Sequence, residues 1–123
     1  MLDHITIRVS HLAKSKAFYE QTLAPLGMTI VLGSEKEGYW GFGVGDDPYL
    51  EIAQATKTRP AHKKIHIAFK ARDRNMVRAW YKASLKAGAK DNGKPGLRPA
   101  YSKTYYAGFV KERDGNNVEV CVY

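Results

Sequence analysis

Two histidines and two glutamates stand at repeated positions in this chain, and their side chains have the chemistry to hold a metal ion. His4 begins the segment His-Ile-Thr-Ile, and His66 begins His-Ile-Ala-Phe at an offset of 62 positions. Glu51 and Glu119 each precede a β-branched residue, in Glu-Ile and Glu-Val. Imidazole and carboxylate together suit zinc, nickel, iron(II), manganese or cobalt, and they leave coordination positions for water or substrate. The four residues therefore predict a divalent metal site but do not select the ion.

The repetition extends beyond these four residues and marks two copies of one structural unit. Ala-Phe-Tyr at 17–19 is echoed by Ala-Trp-Tyr at 79–81, and the aromatic segment 39–42 is echoed by 105–109. The offset drifts from 62 to 68 along the chain, as expected when loop insertions accumulate between duplicated units. We therefore expect the two halves to share one order of strands and helices.

Local patterns place the four residues on strands. Alternating apolar residues predict the strands, and the helical spacing of apolar residues predicts one helix after the first strand of each half. The predicted strands span about 3–9, 28–33, 38–44, 48–54, 65–71, 89–91, 104–111 and 117–123, and the predicted helices span about 12–23 and 73–88. Ser10 and Asp73 are the expected helix caps, and Gly115 marks the turn before the last strand. Each half is therefore predicted to be βαβββ, which makes the chain an α+β protein.

Strand parity puts the candidate ligands on one surface, away from the core. Successive side chains on a strand point to opposite faces, so the apolar residues of the first strand face away from His4 and Arg8. The same alternation separates His66, Glu51 and Glu119 from their apolar neighbours. We expect the helices to pack on the apolar faces of a curved mixed sheet. Its concave side would then carry all four candidate ligands.

The length and composition bound the architecture. With 123 residues, of which 44% are hydrophobic, the chain is predicted to form a single globular domain. We expect module one at about 1–55, a link at about 56–64 and module two at about 65–123, with an irregular loop at 92–103 on the rim of the site. The amino terminus lacks a basic region followed by an apolar run, and no segment approaches a membrane span. A cytoplasmic protein with no membrane partner is therefore expected.

The net charge of +8 is a feature of nucleic-acid-binding proteins, yet the rest of the chain disfavours that class. Twenty basic residues against twelve acidic ones occur along both halves, and no basic arm or nucleic-acid motif collects them. Charge alone does not define a function, so we predict solvated surface charge that attracts small anionic ligands, and no nucleic-acid partner. The single cysteine, Cys121, excludes an internal disulfide and a thiolate-cluster zinc site.

Several segments resemble the vicinal oxygen chelate superfamily, over essentially the whole chain. Residues 4–12 (His-Ile-Thr-Ile-Arg-Val-Ser-His-Leu) are similar to its first strand and turn, 15–19 to its first helix, and 114–119 to its closing hairpin. The segment 23–27 (Leu-Ala-Pro-Leu-Gly) resembles a small glyoxalase-like branch. The superfamily includes glyoxalase I, fosfomycin-resistance transferases, methylmalonyl-CoA epimerase, extradiol dioxygenases and bleomycin-resistance binding proteins.

This resemblance implies roles for the repeated residues. In glyoxalase I, two histidines and two glutamates bind the metal, and a glutamate moves the substrate proton. By position these are His4, Glu51, His66 and Glu119, with Glu119 favoured as the base and Glu51 as the other catalytic carboxylate. Arg8 matches an arginine that contacts glutathione. The leading hypothesis is a lactoylglutathione lyase-like lyase or isomerase, whose metal chelates vicinal oxygens of a small anionic substrate.

Two other functions stay open at this point. A noncatalytic resistance protein would bind a small molecule between aromatic side chains, and an iron-dependent dioxygenase would use two histidines and one carboxylate. The expected substrate contacts besides Arg8 are Trp40, Arg98, Tyr101 and Tyr106. The resemblance also implies a homodimer, in which the modules pair either within one chain or between two.

Overall fold

The computed structural model describes all 123 residues and confirms an α+β chain built from two βαβββ modules. The eight strands form two mixed four-stranded sheets, and each module contributes one α-helix. The chain divides into two compact units, Met1–His62 and Lys63–Tyr123. No helix is both long enough and apolar enough to cross a lipid bilayer.

The first unit holds a sheet in which the first and last strands are neighbours. Its elements are β1 (Ile5–Val9), α1 (Leu12–Leu23), a 3-10 turn (Ala24–Leu26), β2 (Thr29–Ser34), β3 (Tyr39–Val44) and β4 (Asp47–Gln54). The strand order is β1-β4-β3-β2, with β1 parallel to β4 and the other neighbours antiparallel. The parallel pair needs a long connection, which α1, β2 and β3 supply.

Apolar side chains from the strands and from α1 form the core of this unit. Ile7, Phe42 and Ile52 on the strands, and Tyr19 and Leu23 on α1, are each at most 1% exposed. Full burial stabilises the fold by about 1.5–3 kcal/mol for an aliphatic or phenylalanine side chain. This packing fixes the apolar face of the sheet and leaves the opposite face to the polar residues.

The second unit repeats this architecture. Its elements are β5 (His66–Lys70), α2 (Arg74–Lys86), β6 (Lys90–Leu97), β7 (Tyr106–Lys111) and β8 (Asn117–Val122). The strand order is β5-β8-β7-β6, with β5 parallel to β8. Val77 and Trp80 of α2 are buried with Val110, Val118 and Val120 of the sheet. The two halves that repeat in the sequence therefore have the same order and pairing of strands.

The two helix caps differ in how well the sequence predicted them. α1 follows His11 and not Ser10, because the His11 imidazole accepts a hydrogen bond from Lys14 N at 3.4 Å. α2 follows Asp73 as predicted, and its carboxylate accepts a hydrogen bond from Met76 N at 2.8 Å. In both cases a side chain satisfies an N–H group of the first turn that has no partner inside the helix.

The loop predicted at 92–103 is shorter than expected, because β6 continues to Leu97. Gly93, Pro95 and Gly96 suggested a loop, yet β6 is an edge strand, where proline is tolerated. The pairing with β7 shifts register on both sides of Gly93, so the strand is irregular without ending. The sequence pattern therefore detected the irregularity but not the strand that contains it.

The register of the two hairpins corrects the predicted match between the aromatic segments. Gly41 lies opposite Glu51, and Phe109 lies opposite Glu119. The hairpins are therefore offset by 68 positions, and the predicted equivalence of Phe42 with Phe109 is wrong. Phe42 is fully buried in the core, whereas Phe109 is half-buried.

A buried carboxylate organises the turn between β7 and β8. Glu112 Oε1 accepts hydrogen bonds from Asp114 N at 2.7 Å and from Asn116 N at 2.8 Å. Asn116 in turn accepts a hydrogen bond from Ile65 N at 3.0 Å, which ties this hairpin to the start of β5. Burial raises the pKa of the Glu112 carboxyl, against the opposing effect of the Asn116 backbone N–H. The turn thus depends on one buried acidic side chain.

Candidate functional site

In the second unit, the predicted histidine and glutamate are in direct contact. His66 Nε2 lies 2.7 Å from Glu119 Oε2. The parallel pairing of β5 with β8 brings them together, since Ala68 is the register partner of Glu119. The Glu119 side chain is 3% exposed and that of His66 is 54% exposed. The carboxylate is therefore held within the unit while the imidazole faces outwards.

Tyr105 completes the environment of this carboxylate. Its hydroxyl donates a hydrogen bond to Glu119 Oε1 at 2.7 Å, so each carboxylate oxygen has its own partner. Desolvation raises the pKa of the Tyr105 phenol, and its side-chain hydrogen bonds to Cys121 and Glu119 raise it further. The phenol therefore stays protonated and acts as a donor.

Tyr105 also belongs to a tyrosine cluster formed with Tyr101 and Tyr123. The Tyr105 ring stacks on Tyr123 with centroids 5.4 Å apart, and it meets Tyr101 edge-on at 5.2 Å. Lys70 Nζ lies 4.7 Å from the centroid of Tyr123. Tyr101 and Tyr123 are each 65% exposed. The cluster thus offers flat aromatic surface next to the His66–Glu119 pair.

Cys121 is not suited to nucleophilic chemistry in this environment. Its side chain is buried, and burial raises the pKa of the thiol, against the lowering effect of the Tyr105 hydroxyl. The thiolate is the reactive form of cysteine, so a raised pKa disfavours attack. Cys121 is therefore a packing residue beside Tyr105.

The first unit holds a looser version of the same pair. His4 Nε2 lies 3.9 Å from Glu51 Oε2, and Thr6 Oγ1 donates a hydrogen bond to the same oxygen at 2.8 Å. His4 lies just before β1, and its Nδ1 is 2.7 Å from Asp3 Oδ1. The hydrogen bond to Asp3 raises the pKa of His4, and the charge of Glu51 raises it further. Asp3 and Glu51 thus favour the protonated imidazole.

The donor types and spacings of both pairs fit a divalent metal. Two ligand atoms bound about 2.0–2.2 Å from one ion lie roughly 3.0–3.5 Å apart. The 2.7 Å and 3.9 Å separations lie on either side of that range, so small side-chain movements would suffice. Each unit supplies only two such donors, whereas catalytic zinc sites use three protein ligands. Within each unit, no group of three or more histidine, cysteine or carboxylate side chains gathers to hold a metal ion.

Arg8 lies beside the pair of the first unit. Its guanidinium donates a hydrogen bond to Gln54 O at 3.3 Å, and its backbone N–H donates to His62 Nδ1 at 2.8 Å. A pocket of about 410 Å³ opens here, and it is lined by Thr6, Arg8, Arg59, Pro60, Ala61 and His62. His62, which lies in the link, thus accepts a hydrogen bond from the backbone of β1. No carboxylate lines this pocket.

The comparison with known proteins decides the family. A sequence model of the Glyoxalase/Bleomycin resistance protein/Dioxygenase superfamily matches residues 1–120. The chain belongs to this superfamily. No curated protein matches its sequence.

Solved structures of this superfamily share the fold at low sequence identity. A glyoxalase/bleomycin resistance protein from Albidiferax ferrireducens T118 is 21% identical, with a TM-score of 0.85 over 98% of both chains. Fosfomycin resistance protein FosX from Mesorhizobium loti is 22% identical, with a TM-score of 0.69 over 100% of this chain and 92% of its own. A glyoxalase-related enzyme from Fulvimarina pelagi is 16% identical, with a TM-score of 0.75 over 98% of this chain and 86% of its own. At these identities the likeness supports the fold alone.

Two residues predicted as substrate contacts, Trp40 and Tyr106, lie on the helix side of their sheets. Trp40 is the register partner of Ile52, so it shares the face of the core and not that of Glu51. It lies under α1, where Lys16 Nζ is 4.5 Å from its ring centroid. Tyr106 is buried, and its hydroxyl accepts a hydrogen bond from Arg78 Nη1 at 3.0 Å. Both aromatic residues therefore lie on the face opposite to the glutamates, and Trp40 lines a separate pocket of about 470 Å³ beside α1.

The other predicted contacts lie nearer to the second pair. Tyr101 belongs to the tyrosine cluster, and the Arg98 guanidinium lies 5.2 Å from the ring centroid of Phe109. Phe109 in turn lies 6.3 Å from the His66 ring. Arg98 Nη2 donates to the carbonyls of Lys94 and Ala107. Arg98 therefore contacts Phe109, which in turn lies near the His66 ring. Part of the hydrogen-bonding capacity of its guanidinium is used by backbone carbonyls.

Two residues that contact the glutamates, Thr6 and Tyr105, are not among the site residues predicted from the sequence. Thr6 shares strand parity with His4, and this signal was available without the structure. The hydrogen bond of Tyr105 to Glu119 had no comparable signal, because Tyr105 lies just outside β7 and the hairpin register was not known. The structure thus adds one neutral hydroxyl donor to each carboxylate of this superfamily member.

Proposed function

We propose that this member of the Glyoxalase/Bleomycin resistance protein/Dioxygenase superfamily is a metal-dependent lyase or isomerase. Its substrate would be a small anionic molecule with two adjacent oxygens. One observation supports this most directly: each module places one imidazole within 4 Å of one carboxylate, through equivalent parallel strand pairs. Duplicated pairs of metal-competent side chains are a property of a site, since folding alone does not require them.

The residues of the two pairs would divide the work. His4, Glu51, His66 and Glu119 would hold the ion, which when bound polarises adjacent oxygens of a substrate. Glu119 would take a proton from the substrate carbon and return it to the neighbouring carbon. Tyr105 would hold Oε1 of this carboxylate, which leaves the orientation of Oε2 fixed. Glu51 would serve as the second carboxylate, oriented by its neighbouring threonine.

The pocket beside Arg8 supports an anionic substrate. Arg8 and Arg59 both line it, and guanidinium groups bind carboxylates and phosphates through paired hydrogen bonds. Thr6 belongs both to this pocket and to the environment of Glu51, so an anion here would lie next to the first pair. A glutathione hemithioacetal, the substrate of a lactoylglutathione lyase, carries such carboxylates.

Metal binding, the first part of this proposal, is tested by adding single metal ions to metal-free protein. The protein is stripped with a chelator, dialysed against Zn²⁺, Ni²⁺, Mn²⁺, Co²⁺ or Fe²⁺ singly, and analysed for bound metal. We expect binding in the wild type and its loss in His66→Ala. His11→Asn is the matched control, because asparagine can still cap α1. Wild-type protein that binds none of the five ions would contradict the proposal.

The proton-transfer half is tested by isotope exchange. Metal-loaded protein is mixed with a glutathione hemithioacetal in D₂O, and deuterium incorporation is followed by NMR. Removal of a general base typically costs about 10²–10⁴-fold, so we expect that loss in Glu119→Gln. Glu20→Gln, which changes an exposed helix residue, serves as the control. Unchanged exchange in Glu119→Gln means that another group moves the proton.

A noncatalytic binding function is the second candidate, and the tyrosine cluster favours it. Tyr101 and Tyr123 present large exposed rings to solvent. Stacking on such rings would hold a planar ligand without chemistry. Quenching of tyrosine fluorescence by a planar carboxylate, retained in chelator-treated protein, would favour this function. No quenching in the metal-free protein would argue against it.

A further inference from the structure

The net positive charge of the chain comes from its second unit. Met1–His62 contains six Lys and Arg against seven Asp and Glu, and Lys63–Tyr123 contains fourteen against five, which together account for the twenty basic and twelve acidic residues. Basic residues do occur in both halves, but only the second has an excess. The modules therefore share a fold and differ in electrostatics.

Part of this excess lies in a row along α2. Four basic residues stand four positions apart, and all are exposed: Arg74, Arg78, Lys82 and Lys86. Residues four apart on a helix are neighbours on its surface, and like charges at this spacing repel. The helix Arg74–Lys86 contains no acidic residue. No acidic side chain within the helix therefore offsets the positive charge of this row.

The first two arginines of the row are held in place by Tyr106. The guanidinium carbons of Arg74 and Arg78 lie 5.0 Å and 5.7 Å from its ring centroid. Arg78 also donates hydrogen bonds to the Tyr106 hydroxyl and to Asn75 Oδ1. The ion pairs of the chain all involve other residues, so no carboxylate neutralises either guanidinium. Two guanidinium groups without a carboxylate partner thus contact the same buried ring, and hydrogen bonds also hold that of Arg78.

The first module shows how the same place is neutralised. Lys16 is the equivalent of Arg78 at the helix offset of 62, and it lies over Trp40 as Arg78 lies over Tyr106. Lys16 Nζ forms an ion pair with Glu20 Oε1 at 3.0 Å. The equivalent of Glu20 in the second module is Lys82. Each module therefore holds a cation over an aromatic ring, but the second module has a cation where the first has the counter-ion.

We propose that Arg74 and Arg78 form a binding site for a phosphate-type oxyanion. The ligand is either free phosphate or the phosphoryl group of a larger molecule. Guanidinium groups bind tetrahedral oxyanions through forked hydrogen bonds, and an immobilised guanidinium loses less side-chain freedom on binding. Tyr106 faces α2, whereas Glu119 faces the other side of the sheet, so this site is independent of the metal proposal.

The test is a phosphate titration of the ¹⁵N-labelled protein. Potassium phosphate is added at constant ionic strength, with potassium chloride as the reference, and the Nε–Hε signals of Arg74 and Arg78 are followed. We expect saturable shifts of both signals in the wild type and no shift of the remaining Arg74 signal in Arg78→Gln. The variant Lys82→Glu places a carboxylate one helical turn from Arg78, as Glu20 lies one turn from Lys16 in the first module. We expect this variant to bind phosphate on the order of tenfold more weakly.

A control variant separates local from global electrostatics. Lys63→Glu makes the same change in net charge outside α2, and we expect it to bind phosphate within about twofold of the wild type. Equal losses in Lys63→Glu and Lys82→Glu, or shifts reproduced by chloride, overturn the proposal. A parallel titration with O-phosphoserine identifies the source. Tighter binding than phosphate assigns the site to a phosphorylated ligand, and equal or weaker binding assigns it to the free anion.

Discussion

Glu119 is the residue whose surroundings are most fully determined. His66 contacts Oε2 and Tyr105 donates to Oε1, while the side chain is almost completely removed from solvent. A buried carboxylate of this kind is costly unless both oxygens have partners. The tyrosine is therefore as much a part of the candidate site as the histidine.

The Tyr105 hydroxyl gives the first prediction. Tyr105→Phe keeps the ring contacts and removes the donor, so Glu119 Oε1 is left buried without a partner. We expect the free energy of unfolding to fall by about 1–3 kcal/mol, measured by urea denaturation. Tyr101→Phe, which changes an exposed hydroxyl in the same cluster, should change it by less than about 0.5 kcal/mol. Equal effects of the two variants would show that the hydrogen bond is unimportant.

The second prediction concerns the protonation of His4. The hydrogen bond to Asp3 is the main cause of its raised pKa. Asp3→Asn should therefore lower the pKa of His4 towards its ordinary value of 6.5, as followed by NMR of the metal-free protein. A raised histidine pKa stabilises the fold below that ordinary value, and this contribution disappears as the pH rises through the folded pKa. An unchanged pKa in Asp3→Asn, with Asp46→Asn as control, would contradict the assignment.

At the scale of the elements, the β7–β8 turn depends on the buried carboxyl of Glu112. Because its pKa is raised in the folded protein, its contribution to stability is complete below the usual 4.5 and is lost as the pH rises through the folded pKa. Glu112→Gln keeps one carbonyl oxygen for the two backbone N–H groups and removes the titration. The stability of the variant relative to wild type should therefore improve from pH 4.5 to pH 8.

Urea denaturation across this pH range checks the prediction. Glu35→Gln, at an exposed position, is the control and should follow the wild type at every pH. A difference between Glu112→Gln and wild type that stays constant with pH would show that burial does not govern this carboxyl.

The helices and strands also show which parts of the fold the sequence patterns could predict and which they could not. Both helices and most strands followed from periodicity, because burial of one face imposes it. The continuation of β6 through Gly93 and Pro95 did not, since an edge strand tolerates residues that elsewhere end a strand. The face that Trp40 and Tyr106 occupy depends on the hairpin register, which the sequence does not give. Trp40 lies opposite Ile52 and Tyr106 lies opposite Val122, so both share the core face.

At the scale of the molecule, the proposed metal centre requires both pairs at once. Each unit supplies one imidazole and one carboxylate, so His4→Ala and His66→Ala should each lower metal affinity by more than the roughly 10–100-fold that outer-shell changes cost. We expect the double variant to be little worse than either single one, measured by competition with a coloured chelator. Full affinity in either single variant would exclude a shared centre.

A mixture of the two single variants distinguishes how the modules pair. If pairing occurs between the chains of a homodimer, subunit exchange in an equal mixture should restore about a quarter of the wild-type sites, since mixed dimers have one intact site. If pairing occurs within a chain, the mixture should bind no more than its components. A monomer in solution would exclude the first arrangement.

The strand order within each unit has a consequence for how the protein is made. β1 pairs with β4 and β5 pairs with β8. The first strand of each sheet therefore has no partner until the last strand of that unit has been synthesised. All four strands of the first sheet are synthesised before any strand of the second, because β4 ends at Gln54 and β5 begins at His66. Domains synthesised first generally fold first. We therefore expect the duplication to divide co-translational folding into two steps, with the first unit formed before the second is complete.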